Sequence, residues 1–329
     1  MMRKTQLLGL LFILTIAYSC KKSDSTDTDG EWERVSDFEG VPRSGAFSFT
    51  IDNKAYVGGG YDGTNRLQDV WTFDPNLNNW YKKASFPGVA RTNSVGFSIN
   101  GIGYVGTGSD GNVALKDFYS YNPDADAWTK IADFPGDARY GAVAFTLDGR
   151  GYVGCGIDQN SYKDFYAYDP GTNTWSQTTS IPGTKRTNAF AFVIGNKAYV
   201  GGGLNNGLYN SDFFSYDATT DTWTQLEDLT RTSAYTYSIG RQSAGAFTIG
   251  NFGYLALGNN GVSLGDLWKY HPIEDYWEAM DVFEGSTRSE AVSFSLNNIG
   301  YIATGRTGST RFDDAWKYDP DGIAPDGED

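Results

Sequence analysis

The chain of 329 residues has very few side chains of the kinds that usually carry enzyme chemistry, with two Cys and one His. Cys20 falls at the end of an N-terminal leader, so Cys155 has no partner for a disulfide inside the mature fold. The sole His271 lies in KYHPIEDYW, in a slot where related segments carry Asp or Asn. His271 is therefore expected to be a turn residue. With so few His and Cys side chains, a Ser/His/Asp triad and a His/Cys metal cluster are both excluded. The residues predict no cofactor and no metal.

Long apolar runs are also missing, apart from one near the N-terminus. Arg3 and Lys4 precede an apolar run from about Leu7 to Ala17, which is too short to span a bilayer but suits a signal peptide. The run ends just before Cys20, and this resembles a bacterial lipoprotein signal that is cleaved before an acylated cysteine. The resemblance implies a signal peptide over residues 1–19 and lipidation of Cys20. An ordinary secretory signal followed by an incidental cysteine is the alternative.

The segment after the leader predicts a tether. KKSDSTDTDG is polar and lacks any hydrophobic period, so residues 20–30 are expected to form a flexible linker. Its Asp side chains resemble the export tags that send lipoproteins to the cell surface in some Gram-negative groups. We therefore expect an exported outer-membrane lipoprotein that is exposed at the cell surface and contacts the membrane only through its lipid.

Basic side chains are scarce relative to acidic ones, with 26 Lys and Arg against 40 Asp and Glu and a net charge of −14. A protein of this charge gains nothing from neutralising phosphates, which excludes nucleic acid as an expected partner. A G-x-G-x-x-G motif at Gly58 to Gly63 is followed by RLQDVWTFDP, which lacks a helical period. The same motif returns 48 residues later. These glycines therefore indicate a repeat and not a nucleotide site.

Four residue types recur through the chain at a period of about 48 residues. The tryptophans are Trp32, Trp80, Trp128, Trp175, Trp223 and Trp277. The arginines, which follow the tryptophans at a fixed distance in all but one copy, are Arg43, Arg91, Arg139, Arg186, Arg241 and Arg288. A Phe stands six residues after every Arg, at Phe49, Phe97, Phe145, Phe192, Phe247 and Phe294. The aspartates that open an aromatic segment are Asp69, Asp117, Asp164, Asp212, Asp266 and Asp314.

Each unit can be drawn as four strands, which we call a to d. SGAFSFTI is an example of strand a, KAYVGGG of strand b and DVWTFDP of strand c, and strand d begins near the Trp. The a–b turns read Asp-Asn, Asn-Gly or similar, residue types that accept the positive φ of tight hairpins. Repeats with a Gly-Gly, a Tyr-Asp and a Trp resemble the kelch family. The resemblance implies an all-β fold, a six-bladed β-propeller with four antiparallel strands per blade.

The order of the strands also predicts how the ring closes. EWERVSDF at Trp32 is a strand d without an a, b or c before it, and Arg288 to Pro320 contains a, b and c without a d after it. The N-terminal strand should therefore complete the last blade and remove an exposed edge. We expect one propeller domain over residues 31–320, an acidic tail over residues 321–329, and a monomer.

In this architecture the d–a and b–c connections share one side, which we call the loop face. The loop face should carry the six repeated arginines at the entrance to strand a. Forked guanidinium groups around a channel recognise carboxylate or sulfate, so Arg43, Arg91, Arg139, Arg186, Arg241 and Arg288 are candidate ligand-binding residues. The alternative is structural, with each Arg paired to an Asp of a neighbouring blade or capping a backbone carbonyl.

Two positions that break the repeat are further candidates. Glu290, two residues after Arg288, is the only acid in a ring that otherwise holds Gly, Asn and Ser. It could bind a ligand or pair with Arg288 or another repeated Arg. The second break adds seven residues before Arg241. This insertion, LEDLTRTSAYTYSIG, supplies Arg231, Tyr235 and Tyr237, which suit sugar stacking and hydroxyl recognition, or the loop packs over the channel.

Three functions fit these residues. The first is a surface-anchored, non-catalytic propeller that binds a glycan or an acidic small molecule through the loop face. The second is a sugar mutarotase, because the chain is similar in its repeats to N-acetylneuraminate epimerase, with Glu290 and Arg288 or Arg241 as catalytic candidates. The third is a scaffold for a protein partner. Kelch copper oxidases such as galactose oxidase are excluded, because they need two His ligands and a Tyr–Cys crosslink.

Overall fold

The computed structural model describes residues 30–322, and the regular structure in this range is entirely β-strand. Residues 1–29 and 323–329 lie outside the described residues, and with them the predicted signal peptide, Cys20 and most of the predicted tether and tail. No helix within the described range could span a membrane.

Thirty strands follow one another along the described chain. The first strand and the first three blades comprise β1 (Glu31–Val35), β2 (Phe47–Ile51), β3 (Lys54–Gly58), β4 (Val70–Asp74), β5 (Asn79–Lys83), β6 (Val95–Ile99), β7 (Ile102–Gly106), β8 (Phe118–Asn122), β9 (Ala127–Lys130), β10 (Val143–Leu147), β11 (Arg150–Gly154), β12 (Phe165–Asp169) and β13 (Thr174–Thr178). Blade four and the insertion comprise β14 (Phe190–Ile194), β15 (Lys197–Gly201), β16 (Leu204–Asn205), β17 (Leu208–Tyr209), β18 (Phe213–Asp217), β19 (Thr222–Gln225), β20 (Thr230–Arg231) and β21 (Tyr237–Ser238). The last two blades comprise β22 (Gly245–Ile249), β23 (Phe252–Ala256), β24 (Leu267–His271), β25 (Tyr276–Met280), β26 (Val292–Leu296), β27 (Ile299–Ala303), β28 (Arg306–Thr307), β29 (Thr310–Arg311) and β30 (Ala315–Asp319).

Six four-stranded antiparallel sheets form the blades of a β-propeller, as the repeats predict. Blade one has the strand order β2-β3-β4-β5, and blades two to five follow the same a-b-c-d order. Each strand a contacts the strand a of the next blade, and β26 contacts β2, so the six inner strands surround a central channel. The predicted a–b turns are present, and Asp52 and Asn53 in the first of them have φ of 48° and 57°.

Strand a separates small side chains at the channel from large ones between the blades. In β2, Phe47 and Phe49 are buried, whereas Ser48 and Thr50 are half-buried and line the channel. This follows from the alternation of side chains along a strand. The Phe49 ring occupies space beside Gly103 of blade two, where an added Cβ would lie 2.3 Å from the ring. The repeated Phe therefore packs neighbouring blades together because the adjacent strand b keeps a small residue there.

Four of the six repeated tryptophans hydrogen-bond their outer strand to the preceding blade. The indole Nε1 of Trp128 donates to the carbonyl oxygen of Ala84 at 2.9 Å, and its ring packs edge-on against Phe86 at 5.3 Å. Trp80, Trp175 and Trp223 donate in the same way to the carbonyl oxygens of Ser36, Ala132 and Thr179. The prediction that these rings pack between blades is confirmed.

The N-terminal strand closes the ring in the predicted manner. The sixth sheet has the order β1-β30-β27-β26, with β1 as its strand d. The register pairs Glu31 with Asp319 and Val35 with Ala315 across the two ends of the chain. Trp32 of β1 is buried and packs against Phe283, which follows blade five, at 4.9 Å. The two chain ends therefore share one hydrogen-bonded sheet.

Candidate functional site

The six repeated arginines lie beneath the loop face and not on its surface. In Arg91, Nη1 and Nη2 donate to the two carboxylate oxygens of Asp117 at 2.7 and 2.8 Å. Nη1 also donates to the carbonyl oxygen of Thr107 at 2.9 Å, and Nε to that of Val89 at 2.9 Å. Corresponding pairs join Arg43 to Asp69, Arg139 to Asp164, Arg186 to Asp212, Arg241 to Asp266 and Arg288 to Asp314.

This geometry corrects the hypothesis that the six arginines bind a ligand. Their side chains are at most 2% exposed, and their donors are used by carboxylate and carbonyl oxygens. The arginines instead have the structural role given as the alternative, in which each pairs with an Asp and binds backbone carbonyl oxygens. One detail differs from that expectation. Each Arg pairs with an Asp of its own blade, and not with one of a neighbouring blade, because the Asp opens strand c beside the point where strand a begins.

In three of these pairs, burial and ion pairing shift the pKa of the Asp carboxyl in opposite directions. Burial alone would raise the pKa of the Asp69 carboxyl, but the hydrogen bonds and charge of Arg43 and the indole of Trp71 outweigh it and lower that pKa below its ordinary value. The pKa of Asp266 and that of Asp314 are lowered for the same reason, by Arg241 and Arg288. These three pairs are therefore charged in the folded protein at neutral pH.

Above the buried pairs, a closed ring of backbone hydrogen bonds surrounds the channel mouth. Its members, one from each blade, are Gly45, Asn93, Gly141, Asn188, Ser243 and Glu290. Each amide donates to the carbonyl oxygen of the preceding member at 2.7–3.1 Å, and Gly45 donates to Glu290 to close the ring. All six residues have φ between 52° and 61°. Gly and Asn accept this left-handed conformation readily, whereas Glu does so at a cost of about 1 kcal/mol.

Glu290 pairs with an arginine other than the repeated ones. Arg306 donates from Nη2 to Oε1 of Glu290 at 2.7 Å, so the expected pair with Arg288 or another repeated Arg is wrong. Arg306 lies in β28, where the hydrogen bond that it donates to Glu290 raises its pKa more than burial lowers it. The two side chains are 20% and 38% exposed, so this ion pair, unlike the six below it, remains accessible.

A cavity of about 560 Å³ lies at this ion pair, on the loop face between blades four, five and six. Its polar lining residues are Asn188, Gln242, Ser243, Asn259, Ser263, Ser289, Glu290, Arg306 and Thr307. The amide groups are held in place: Asn188 donates to Oε1 of Gln242 at 3.4 Å, and the Tyr209 hydroxyl donates to Oδ1 of Asn259 at 3.1 Å. These contacts leave the NH₂ groups of Gln242 and Asn259 as donors toward a bound molecule.

Sequence reasoning missed Arg306, although the repeat contains a signal for it. Arg306 directly follows the glycine that ends strand b, in the slot where other blades carry Tyr61, Ser109, Ile157, Leu204 and Asn259. Arg306 is the only charged residue among these six equivalent positions. Glu290 is likewise the only charged residue among the six ring positions. Both residues belong to blade six. Their pairing depends on the fold, which brings the start of strand a next to the b–c loop.

The insertion between blades four and five does not join this cavity. Arg231 lies near the c–d turn of blade five, donating to the carbonyl oxygen of Asp275 at 3.4 Å, and Tyr235 stacks on Tyr276 at 4.1 Å. Tyr237 is buried against Trp268 of strand c. The expected packing of this loop over the channel is not found: the insertion follows the outer strands, because its β20–β21 hairpin packs against the next blade.

Within residues 30–322, no group of three or more His, Cys, Asp or Glu side chains is arranged to hold a metal ion. His271 ends β24, where it stacks on Tyr276 at 4.4 Å and contacts Glu278 through Nε2 at 2.8 Å. Cys155 is fully buried, and burial raises the pKa of its thiol to about 12, so the thiolate is not formed at neutral pH.

Comparisons with known proteins agree with the propeller geometry. The family model of the KLHDC2/KLHL20/DRC7 Kelch-repeats domain matches residues 133–305, and that of the Kelch motif matches residues 42–87. A comparison with curated proteins found no match. The solved structure of YjhT is similar with a TM-score of 0.73 at 20% sequence identity, over 85% of this chain and 95% of that one. At this identity the likeness shows the fold alone.

Proposed function

Because the chain belongs to the kelch-repeat family of β-propellers, we propose that it is a non-catalytic binding propeller whose loop face holds a sugar residue of a glycan. The binding site is the cavity between blades four, five and six, which contains the pair Glu290–Arg306. This narrows the site from the whole loop face to one sector of it, since the repeated arginines are buried.

The observation that carries this proposal is the double break in an otherwise regular ring. Blade six places an acid at a position of φ 56°, where two blades use Gly and two use Asn, and pairs it with an arginine found in no other blade at that slot. A residue held in an unfavourable backbone conformation, although better-suited types occupy equivalent positions, indicates a role outside folding. The accessible ion pair beside a concave polar cavity supplies that role.

The chemistry of the cavity suits hydroxyl groups. A sugar hydroxyl both donates and accepts, so one hydroxyl can donate to the Glu290 carboxylate while its neighbour accepts from the Arg306 guanidinium. The amides of Gln242 and Asn259 add donors on the blade-five side of the cavity. Because Glu290 compensates the charge of Arg306, the lining favours polar groups over a full negative charge.

A sugar mutarotase is the second candidate, favoured by the contact of a carboxylate with a guanidinium group in one accessible cavity. Ring opening of a sugar needs a base at the anomeric hydroxyl and an acid at the ring oxygen. Glu290 would be the base. Arg288 and Arg241 are buried with Asp314 and Asp266, so Arg306 takes the place of these residues as the cation that orients the substrate.

Proton NMR distinguishes the two candidates in one sample. Purified protein is mixed with freshly dissolved N-acetylneuraminate, or with N-acetylglucosamine as a neutral sugar, and anomer equilibration and ligand line widths are followed together. Line broadening with an unchanged equilibration rate supports binding, and faster equilibration supports the mutarotase. If neither sugar broadens and neither equilibrates faster, both candidates fail for these sugars and a protein partner becomes the better hypothesis.

The matched variants are Glu290→Asn and Asn93→Gly. Each introduces a residue that another blade already carries at the equivalent ring position. Both variants should therefore fold, with a free energy of unfolding within about 1 kcal/mol of that of the native protein. Only Glu290→Asn removes the ion pair with Arg306. We expect it to lower sugar affinity at least tenfold, or to abolish catalysed equilibration, while Asn93→Gly leaves both unchanged. Equal behaviour of the two variants would contradict the assigned site.

We further propose that the protein is a lipoprotein anchored through Cys20, with the propeller exposed outside the cell. The supporting observations are the leader and the acidic segment after it, which lie outside the described residues. Radiolabelled palmitate should label the native protein and not a Cys20→Ala variant. Protease added to intact cells should remove the propeller if it is surface-exposed, and a protected propeller would place it in the periplasm.

A further inference from the structure

The insertion of blade four ends in a small hairpin on the outer rim of the propeller. Its strands β20 and β21 pair through Thr230–Ser238 and Arg231–Tyr237, and the connection between them carries Tyr235. No other connection from strand d to the next strand a in the described propeller contains such a hairpin. The other five blades join without it, so ring closure does not require this element.

The ring of Tyr235 is exposed at the surface and is held flat against the ring of Tyr276. Its ring lies 4.1 Å from that of Tyr276 with an angle of 13° between the planes, and Tyr276 is stacked in turn on His271 at 4.4 Å and 5°. Tyr235 is 51% exposed despite this stacking. This stack of Tyr235, Tyr276 and His271 fixes the orientation of the exposed Tyr235 ring in the unliganded protein.

A polar cleft of about 500 Å³ adjoins this ring. Its lining includes Glu227, Asp228, Thr230, Arg231, Thr232 and Ser233. The guanidinium carbon of Arg231, which lines the cleft, lies over the Tyr235 ring at 5.8 Å from its centre, so the ring borders the cleft. Arg231 faces Glu227 at 3.8 Å and the carbonyl oxygen of Asp275, which leaves the cleft with an excess of acidic groups.

We propose that Tyr235 and the adjoining cleft form a second carbohydrate site, one that binds a pyranose unit of a neutral glycan. The axial C–H groups of a pyranose pack on an aromatic ring, while its hydroxyls reach carboxylates, Ser and Thr at the ring's edge. The acidic lining repels anionic sugars, which selects neutral ones. The site is separate from the Glu290–Arg306 cavity and does not depend on the function proposed there.

Affinity electrophoresis tests the site without knowledge of the natural glycan. The protein is run in native gels that contain dextran, barley β-glucan or galactomannan as neutral probes, with alginate as an anionic probe. We expect retardation by at least one neutral polysaccharide and a loss of affinity of about tenfold in Tyr235→Ala. Tyr235→Phe keeps the ring and should retain binding. Tyr81→Ala, which removes a tyrosine of similar exposure from outer strand β5, should behave as the native protein.

Thermal melts of each variant confirm that the propeller remains folded, because the hairpin lies outside the six blade sheets. Glu290→Asn distinguishes the two sites, because retardation that arises at the channel mouth should be lost in that variant and retardation that arises at Tyr235 should persist. The proposal is overturned if no neutral polysaccharide retards the native protein, or if Tyr235→Ala is retarded as strongly as the native protein. Loss of retardation in Glu290→Asn alone would assign the binding to the channel mouth.

Discussion

Each buried arginine holds three backbone segments of its blade together. In blade two, Arg91 binds the carbonyl oxygen of Val89 before strand a, that of Thr107 after strand b, and the carboxylate of Asp117 before strand c. Glu290 and Arg306 make a similar charge pair, but their side chains are partly exposed. Burial converts the first kind of pair into a structural requirement, whereas partial exposure leaves the second available to a ligand.

Removing one partner of a buried pair should destabilise the whole propeller. Arg91→Met leaves Asp117, whose side chain is only 21% exposed, without its counter-ion, and we expect a loss of about 3 kcal/mol in the free energy of unfolding. Arg34→Met is the control, because Arg34 pairs with Asp37 on the surface, with side chains 56% and 50% exposed. It should cost no more than about 1 kcal/mol in urea denaturation. Equal losses would show that burial does not govern these pairs.

The lowered pKa values of Asp69, Asp266 and Asp314 predict loss of stability in acid. A carboxyl group whose pKa is lower in the folded state stabilises that state above its unfolded pKa, and the stabilisation disappears as the pH falls through the folded value. The free energy of unfolding should therefore decrease below about pH 4, where the unfolded carboxyls take up protons. Urea titrations between pH 7 and pH 3 measure this. A constant midpoint over the range would contradict it.

At the scale of strands and hairpins, the blades are not equally fastened to one another. Four tryptophans donate to a carbonyl oxygen of the preceding blade, while the buried Nε1 of Trp32 and that of Trp277 lack a partner among the described residues. Trp277 belongs to blade five itself, and Trp32 packs against Phe283, which directly follows blade five. Between blades four and five, the insertion replaces the usual short connection. The hairpin that carries Tyr235 therefore also changes the contacts between these two blades.

Trp128 should make a large contribution to the packing of blades one and two. Its ring contacts Phe86 and Tyr121, and its indole donates to Ala84. Trp128 is half-buried, so Trp128→Ala should lower the free energy of unfolding by about 3 kcal/mol, the lower end of the cost of removing a packed Trp ring. Leu77→Ala, at a turn position that is 64% exposed, serves as the control. A loss below about 1 kcal/mol for Trp128→Ala would refute its packing role.

At the scale of the molecule, the pairing of β1 with β30 removes the two edges that an open ring would expose. Deleting residues 1–36 removes β1 with the buried Trp32 and leaves the last blade with three strands. This variant should melt at a lower temperature and scatter light on heating, because β30 becomes an exposed edge. Deleting residues 1–29 keeps β1 and should not change the melting temperature. Identical melts of the two truncations would argue against closure by β1.

The sequence by itself determined the number of blades, the four strands in each, the a–b turns and the closure by the N-terminal strand. These features follow from local patterns that the chain repeats six times, and a repeated unit buries its apolar face only against a copy of itself. The Phe and Trp series likewise predicted packing between blades. Glu290 was identified as a candidate because it departs from that repetition.

Only the tertiary structure decided which charges are accessible. Arg288 and Arg306 have the same side chain, yet one is buried against Asp314 and the other lines a cavity beside Glu290. The position of Tyr235 on the outer rim was likewise beyond sequence reasoning, because it depends on how a hairpin packs against the following blade. A spacing pattern specifies which strands pair. The depth of a side chain and its partner across two loops depend on how the blades pack in three dimensions.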